Sequence, residues 1–465
     1  MNPTSVNAGS AQSARPTAGT DPSRAMQQYF YALADDLTRR LQPKEFFTAN
    51  FAAEDSDFIR LNKGQVRQAG VVAQKMISID LVEGARHAGG ETTLSGDPAT
   101  DQQRLAELLT SLRGKLPVLP EDPHLLYATE VRSTEQHGAN RLPATGEALD
   151  LILTSSSGLD FVGIWASGGI YTGFANSLGQ RNWFSTYTFN LDWSLYHAGD
   201  KAVKSGYAGF GWEPEQFRRK LDDARAQLAI LAQPPRSIEP GRYRVYLSPV
   251  AMQEILGTLA WGGFGTKDHR TRQSTLLRLV EGPANMSPMV TIAENTKDGV
   301  APNFQSAGFI KPDRVVLIER GHFRESLTSP RSAREYGVEN NGANDAEWPE
   351  SVEMDAGSLD SAKVLAELGT GIHISNLWYL NYSDRPNCRM TGMTRFACFW
   401  VEKGVIQAPL NVMRFDETAF RMLGEHLVGL TRERELILDS NTYSRRSTGS
   451  ARLPGALVND FTFTL

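Results

Sequence analysis

Three polar residues, Gln253, Glu254 and Thr258, interrupt an otherwise apolar segment, VAMQEILGTLAWGGF, and raise the question of what chemistry that segment carries. Histidine at both 253 and 258 would complete H-E-x-x-x-H, a zinc-peptidase helix in which two imidazoles hold the metal and the glutamate activates water. The glutamate is present as Glu254, but an amide and a hydroxyl stand at the two ligand positions. Both are weak zinc ligands beside imidazole or thiolate, so no tight site is expected. Positions five apart also lie about 140° apart around an ideal helix, so even two histidines would need local distortion near Gly257. A blander reading makes Gln253 and Glu254 the solvated edge of an amphipathic helix.

Other constellations are weaker. Cys388, Cys398 and His373 fall in neighbouring predicted strands, but their spacing matches no standard zinc motif, and ordinary reduced, partly buried thiols are the alternative. Gly262, Gly263 and Gly265 precede Thr266-Lys267 without the phosphate-loop spacing G-x-x-x-x-G-K-[ST], and termination of the preceding helix accounts for them. No G-x-S-x-G elbow occurs, although a Ser/His/Asp triad brought together by the fold would leave no such signature. The arginines of DRPNCRMTGMTR read either as a basic rim for a partner or for substrate carboxylates, or as a solvated hairpin tip.

The elements that must position Glu254 are legible around it. Tyr243 to Leu247 alternates β-branched and aromatic residues and predicts a strand. Ser248-Pro249 then supplies a capping hydroxyl and a first helical residue that needs no N–H. Val250, Met252, Ile255, Leu256 and Leu259 give the following three-turn helix its apolar face, and Trp261-Gly262-Gly263 ends it.

With 465 residues, 40% hydrophobic and 22% charged, the chain predicts a soluble globular protein of two or three domains. A net charge of -5 argues against a dedicated nucleic-acid binder. Two cysteines exclude a disulfide framework and fit a reducing, cytoplasmic setting. The first 22 residues lack the charged start and hydrophobic region of a signal peptide and read as a disordered tail. No apolar run of about 18 residues predicts a membrane span.

Along the chain, helices are predicted over Ser23 to Leu41, Asp101 to Lys115 and Glu213 to Leu231. An antiparallel meander from Glu45 to Leu94 turns at Asn62-Lys63-Gly64. Pro123 to Pro143 is irregular, and Gly146 to Leu151 is open between helix and strand edge. Leu159 to His197 holds two or three strands, with turns at Gly168-Gly169 and Asn176 to Gln180. Gln233-Pro234-Pro235 is the linker between an N-terminal domain, residues 23–233, and a C-terminal domain, residues 236–465. The second domain continues through strands at Met289 to Ala293 and Arg314 to Arg320, then an exposed loop from Glu335 to Ser361. Three paired strands from Gly369 to Met413, a helix over Glu417 to Leu430 and a final strand from Leu457 complete it. The expected class is α+β, with N-terminal helices over an antiparallel sheet and a β-rich second domain.

The order of elements resembles the TldD/PmbA family, once called modulators of DNA gyrase, from about Met26 to the C-terminus. VAMQEILGTLAWGGF, RVVLIERGHFRESL with SARE following, GTGIHISNL and FWVEKGVIQAPLNVM carry the resemblance. It implies two-domain α+β proteins. In the TldD branch, H-E-x-x-x-H and a cysteine near the C-terminus bind zinc, and unfolded or small peptides are cleaved. The TldE/PmbA branch lacks the ligands and pairs with the first as a heterodimeric peptidase. Carried over, the two histidines fall on Gln253 and Thr258 and the glutamate on Glu254, while Ser444 to Val458 contains no cysteine. The resemblance therefore implies a pseudo-enzyme subunit with no cofactor of its own and a zinc-bearing H-E-x-x-x-H partner. The alternative is an independent enzyme with an unidentified metal or nucleophile.

Overall fold

Two sheets carry the chain in this computed structural model, which describes residues 21–199 and 201–464. The predicted tail lies outside the described residues as far as position 20. Asp21 then caps α1 (Pro22–Arg39), its carboxylate accepting from the Ser23 N–H at 3.0 Å. The first sheet comprises β1 (Glu45–Asn62), β2 (Gln65–Glu83), β3 (Arg86–Thr93), β4 (Thr134–His137), β5 (Asp160–Asn176), β6 (Arg181–Ala198) and β7 (Lys201–Gly209). Its order is β3-β2-β1-β5-β6-β4 with β7 also on β6, and only the β4–β6 pair is parallel.

Strands this long carry two cores on one face. Phe47, Phe51, Tyr171 and Trp183 pack under α1 and α2 (Pro98–Lys115), while Ile59, Phe161, Trp165 and Trp193 pack under α3 (Thr145–Ser155) and α4 (Pro214–Leu231). All eight strand positions are odd-numbered, and alternate residues of a strand share a face, so the cores sit at opposite ends of the same surface. Even-numbered positions turn to the second half of the chain, where Phe174 and Phe184 pack on Phe304.

The second sheet follows α4. It contains β8 (Gly241–Leu247), β9 (Ile292–Glu294), β10 (Val315–Glu319), β11 (His322–Phe323), β12 (Ser351–Met354), β13 (Gly371–Ile374) and β14 (Asn376–Asp384). Next come β15 (Arg389–Arg395), β16 (Phe399–Glu402), β17 (Val405–Pro409), β18 (Arg414–Thr418), β19 (Leu427–Leu438) and β20 (Ser450–Phe463). Its spine is β11-β10-β9-β12-β20-β8-β13-β16-β17. α5 (Pro249–Ala260) lies in its core, with Met252, Ile255, Leu256 and Leu259 packed with Val245, Leu247, Ile372 and Ile374. Among the described residues no helix is long and apolar enough to cross a membrane.

The α+β class holds, and several predicted elements are corrected. Gly168-Gly169 is no turn: β5 runs through it in continuous register with β1 and β6. The glycine is needed because Gly168 has φ +145° and an added Cβ would lie 2.0 Å from the Asp55 carbonyl oxygen. The open stretch at Gly146 is helical, the irregular stretch contains β4, and the strand predicted from Met289 begins only at Ile292. The region from Glu335 to Ser361 is not an exposed loop. Glu347 within it is 2% exposed, and β12 begins in it and pairs with β9 and β20. Five strands, not three, span Gly369 to Met413, because corners at Ser375 and Ala397 divide what alternation alone joins.

No helix covers Glu417 to Leu430. A five-residue π-type turn, Arg421–Glu425, is broken within itself at Gly424, with φ -108° and ψ -116°, and β19 pairs with β20. Glu417 is buried instead, its carboxylate accepting from the Thr418 N–H at 2.8 Å and the Thr462 hydroxyl at 2.9 Å. Long-range strand pairing thus overrides helical spacing there.

Candidate functional site

α5 begins where its sequence says it should. The Ser248 hydroxyl accepts from the Ala251 N–H at 3.1 Å and donates to the Ser375 carbonyl at 2.5 Å, tying the helix start to the β13–β14 corner. Burial of Ala251, Met252, Ile255, Leu256 and Leu259 forces Gln253 and Glu254, on the opposite face, toward a cleft between the two sheets. The cleft has a volume of about 560 Å³. The first half contributes Asp192, Lys204, Lys220 and Asp223, and the second contributes Gln253, Glu254, His373, Asn376, Glu435 and Asp439.

Acids outnumber bases in it. Lys204 pairs with Asp192 at 3.0 Å and Lys220 with Glu435 at 2.6 Å, leaving Asp223, Glu254 and Asp439 without a cationic partner among the described residues. Glu254 keeps contact with solvent, yet the cleft walls displace much of the water around it. That desolvation raises its carboxyl above the usual range, opposed by the nearby Lys204 charge.

The three residues singled out in the sequence are not brought together as a ligand set. Gln253 and Glu254 line the cleft, but Thr258 does not. Its hydroxyl donates back to the Glu254 carbonyl at 2.8 Å, and its own carbonyl accepts from the Tyr382 hydroxyl at 2.7 Å. Zinc does not fit this donor set, which offers one carboxylate, one amide and a hydroxyl already turned into the helix. Among the described residues no three His, Cys, Asp or Glu side chains gather as a metal-binding group.

The other candidates separate likewise. His373 lines the cleft beside Tyr246 and Phe399, and burial lowers its pKa to about 4, so it is neutral at pH 7. Cys388 and Cys398 are free, buried thiols, Cys388 pushed up to about 12 by burial and Cys398 donating to the Arg395 carbonyl at 3.3 Å. At the glycine turn, the Glu347 carboxylate accepts from the Lys267 N–H at 2.8 Å and so fills the position a phosphate would take. The hairpin arginines have partners within the chain. Arg385 lies over Trp261 and Tyr382, Arg395 over Trp378, and Arg389 pairs with Asp416 at 3.2 Å.

Residues 240–465, the stretch that builds α5 and the second sheet, match the sequence profile of the PmbA/TldA metallopeptidase C-terminal domain. This half of the chain belongs to the TldD/PmbA family. Solved structures extend the likeness of fold across both halves. A protein described as a modulator of a DNA gyrase, from Thermotoga maritima MSB8, superimposes with a TM-score of 0.72 at 15% identity, covering 94% of this chain and 100% of its own. TldE from Thermococcus kodakarensis gives 0.73 at 12% identity, with 95% and 100% covered. A modulator of DNA gyrase from Bacteroides thetaiotaomicron VPI-5482 gives 0.71 at 12%, with 96% and 99% covered. No curated protein sequence matches the chain.

Within this TldD/PmbA-family domain, α5 and the β13–β14 corner supply one wall of the cleft, and β6, β7 and α4 of the first half supply the other. That second wall escaped sequence reasoning. Asp192, Lys204 and Asp223 sit in ordinary strand and helix patterns, and nothing in their local spacing points to residues some 50 positions away. Ser444 to Val458, where the resemblance puts a third ligand, forms a strap over the first sheet and then enters β20.

Proposed function

We propose that this chain is a TldE/PmbA-like subunit of a TldD-type heterodimeric zinc peptidase acting on unfolded or small peptides in the cytoplasm. In this reading it holds no zinc of its own and shapes the substrate chamber of an H-E-x-x-x-H partner. The observation that carries the reading is the state of α5: cap, apolar face and glycine turn are intact, while Gln253 and Thr258 replace the imidazoles and Thr258 turns its hydroxyl into the helix. A scaffold kept in order around a vestigial site suits a subunit valued for its surfaces. Trp378 and Tyr379, 49% and 72% exposed beside the cleft, offer apolar area to an obligate interface, which commonly buries more than about 2,000 Å². Tyr382 is half-buried, its hydroxyl held by the Thr258 carbonyl.

The test combines metal analysis with reconstitution. The purified chain, dialysed against trace zinc, is expected to hold no stoichiometric metal and to leave an unfolded peptide uncut. Co-expressed with an H-E-x-x-x-H subunit from the same cell, it is expected to co-purify and to give a chelator-sensitive peptidase. One tightly held zinc per chain, or cleavage by the chain alone at a rate the partner does not change, would replace this reading with that of an independent enzyme.

A further inference from the structure

The cleft that holds Glu254 carries charge the chain itself leaves unanswered. Of its five carboxylates, Asp192 and Glu435 pair with Lys204 and Lys220, at 3.0 and 2.6 Å. Asp223 on α4, Glu254 on α5 and Asp439 just after β19 remain, from both halves of the chain and all open to solvent. His373 lines the same space, is neutral at pH 7 and adds no positive charge. Arg395, over the Trp378 ring at 4.7 Å, does not line the cleft. A walled cleft with an excess of one sign focuses the field and draws in the opposite charge, here cations. The carboxylates do not converge as a metal group, since among the described residues no three such side chains gather around one point. Set on separate elements, they suit an extended cation rather than a compact ion.

Neutral groups in the cleft are uncommitted as well. Asn376, the first residue of β14, lines it and is 6% exposed. Its Oδ1 is enclosed without a partner, while Nδ2 is not enclosed and makes no hydrogen bond among the described residues. The Gln253 amide on α5 lines the same space and makes none either. Buried amides are ordinarily paired, and an amide N–H that opens on a cleft calls for a carbonyl there. Positive charge and carbonyl oxygens come together in a peptide with basic side chains. We propose that this cleft binds a basic segment of an unfolded peptide. Its ammonium or guanidinium groups face Asp223, Glu254 and Asp439, and its main-chain carbonyls accept from Asn376 Nδ2 and Gln253 Nε2. The inference rests on the subunit reading for the choice of a peptide, but the binding belongs to this chain alone and needs neither partner nor cleavage.

Calorimetric titration of the full chain tests it, with blocked heptapeptides on one alanine-glycine framework that carry lysine, glutamine or glutamate at the same positions, and with spermidine. The lysine peptide is expected to bind one per chain, about tenfold tighter than the glutamine peptide or spermidine, and the glutamate peptide to be weaker still. Asp223→Asn and Asp439→Asn are each expected to weaken the lysine peptide about threefold without lowering the melting temperature. The Asp223→Asn, Glu254→Gln, Asp439→Asn triple variant is expected to bind it no better than the glutamine peptide. Asn376→Leu is expected to weaken the lysine and glutamine peptides alike and to leave spermidine unchanged. Should Asn376→Leu fail to fold, the charge variants decide. The proposal is overturned if the glutamine peptide or spermidine binds as well as the lysine peptide, if the lysine peptide does not bind, or if the triple variant binds it like the parent. Basic-peptide binding by a chain that reconstitutes no peptidase would overturn the subunit reading and leave this inference standing, and a chelator-sensitive peptidase without such binding would do the reverse.

Discussion

Two glutamates respond to their surroundings in the same direction and to different extents. Glu254, at the cleft, and Glu294, buried in β9, both have carboxyls raised by desolvation, Glu294 to about 7. For an acid whose folded pKa lies above its unfolded value, stability is greatest below the unfolded value and falls as pH rises through the folded one. For Glu254, solvent contact screens the effect. Glu254→Gln is therefore expected to be neutral or slightly stabilising at pH 7, within about 0.5 kcal/mol by urea denaturation. A loss of several kcal/mol would instead reveal a buried ion pair. For Glu294, 5% exposed and accepting from the Glu350 and Ser351 N–H groups at 2.9 and 3.0 Å, the window runs from the ordinary 4.5 to about 7. Stability measured by urea melts is expected to fall by on the order of 3 kcal/mol across it. Most of that slope should vanish in Glu294→Gln, and an unchanged slope would assign the pH dependence elsewhere.

At the scale of elements, alternation was a good guide wherever a strand has one buried face, and glycine was the residue it misread. A glycine pair between apolar runs has the look of a turn, yet Gly168 lets β1 pass close to β5 and exposes its carbonyl to Arg446. Gly173 has a related role, since a Cβ there would lie 2.6 Å from the Phe30 ring that seats α1. Gly168→Ala is expected to destabilise by roughly 2 to 4 kcal/mol, because it meets both a backbone clash and a strained φ. Gly70, with open space around it in β2, is the control: Gly70→Ala should shift the thermal midpoint little or upward. Equal melting of the two variants would show that β5 relaxes around the added methyl.

The whole molecule is tied across its halves by the strap that precedes β20. Arg446, 7% exposed, plugs the even-numbered face of the first sheet, and burial lowers its pKa to about 10, so it stays charged at neutral pH. Removing it leaves the Thr188 and Gly168 carbonyls without that donor. Arg446→Ala is expected to cost roughly 3 kcal/mol and to open residues 439–449 to limited proteolysis. Arg445→Ala, next to it and exposed, should change neither. Protection of the strap in Arg446→Ala would show that backbone contacts alone hold it.

By itself the sequence determined what depends on near neighbours along the chain. Ser248-Pro249 and five apolar positions specify α5 and the face that carries Glu254, as Asn62-Lys63-Gly64 specifies the first hairpin, because capping, helical spacing and turn geometry act within a few residues. That an amide and a hydroxyl, not imidazoles, stand at 253 and 258 was equally plain from residue types alone. Only the tertiary structure decided that residues 421–425 form one turn between strands, that Glu347 is buried, and that Asp192 and Lys204 face Glu254 across a cleft. Each of these depends on partners tens to hundreds of positions away, and burial and strand pairing with such partners outweigh the small local preferences a sequence displays.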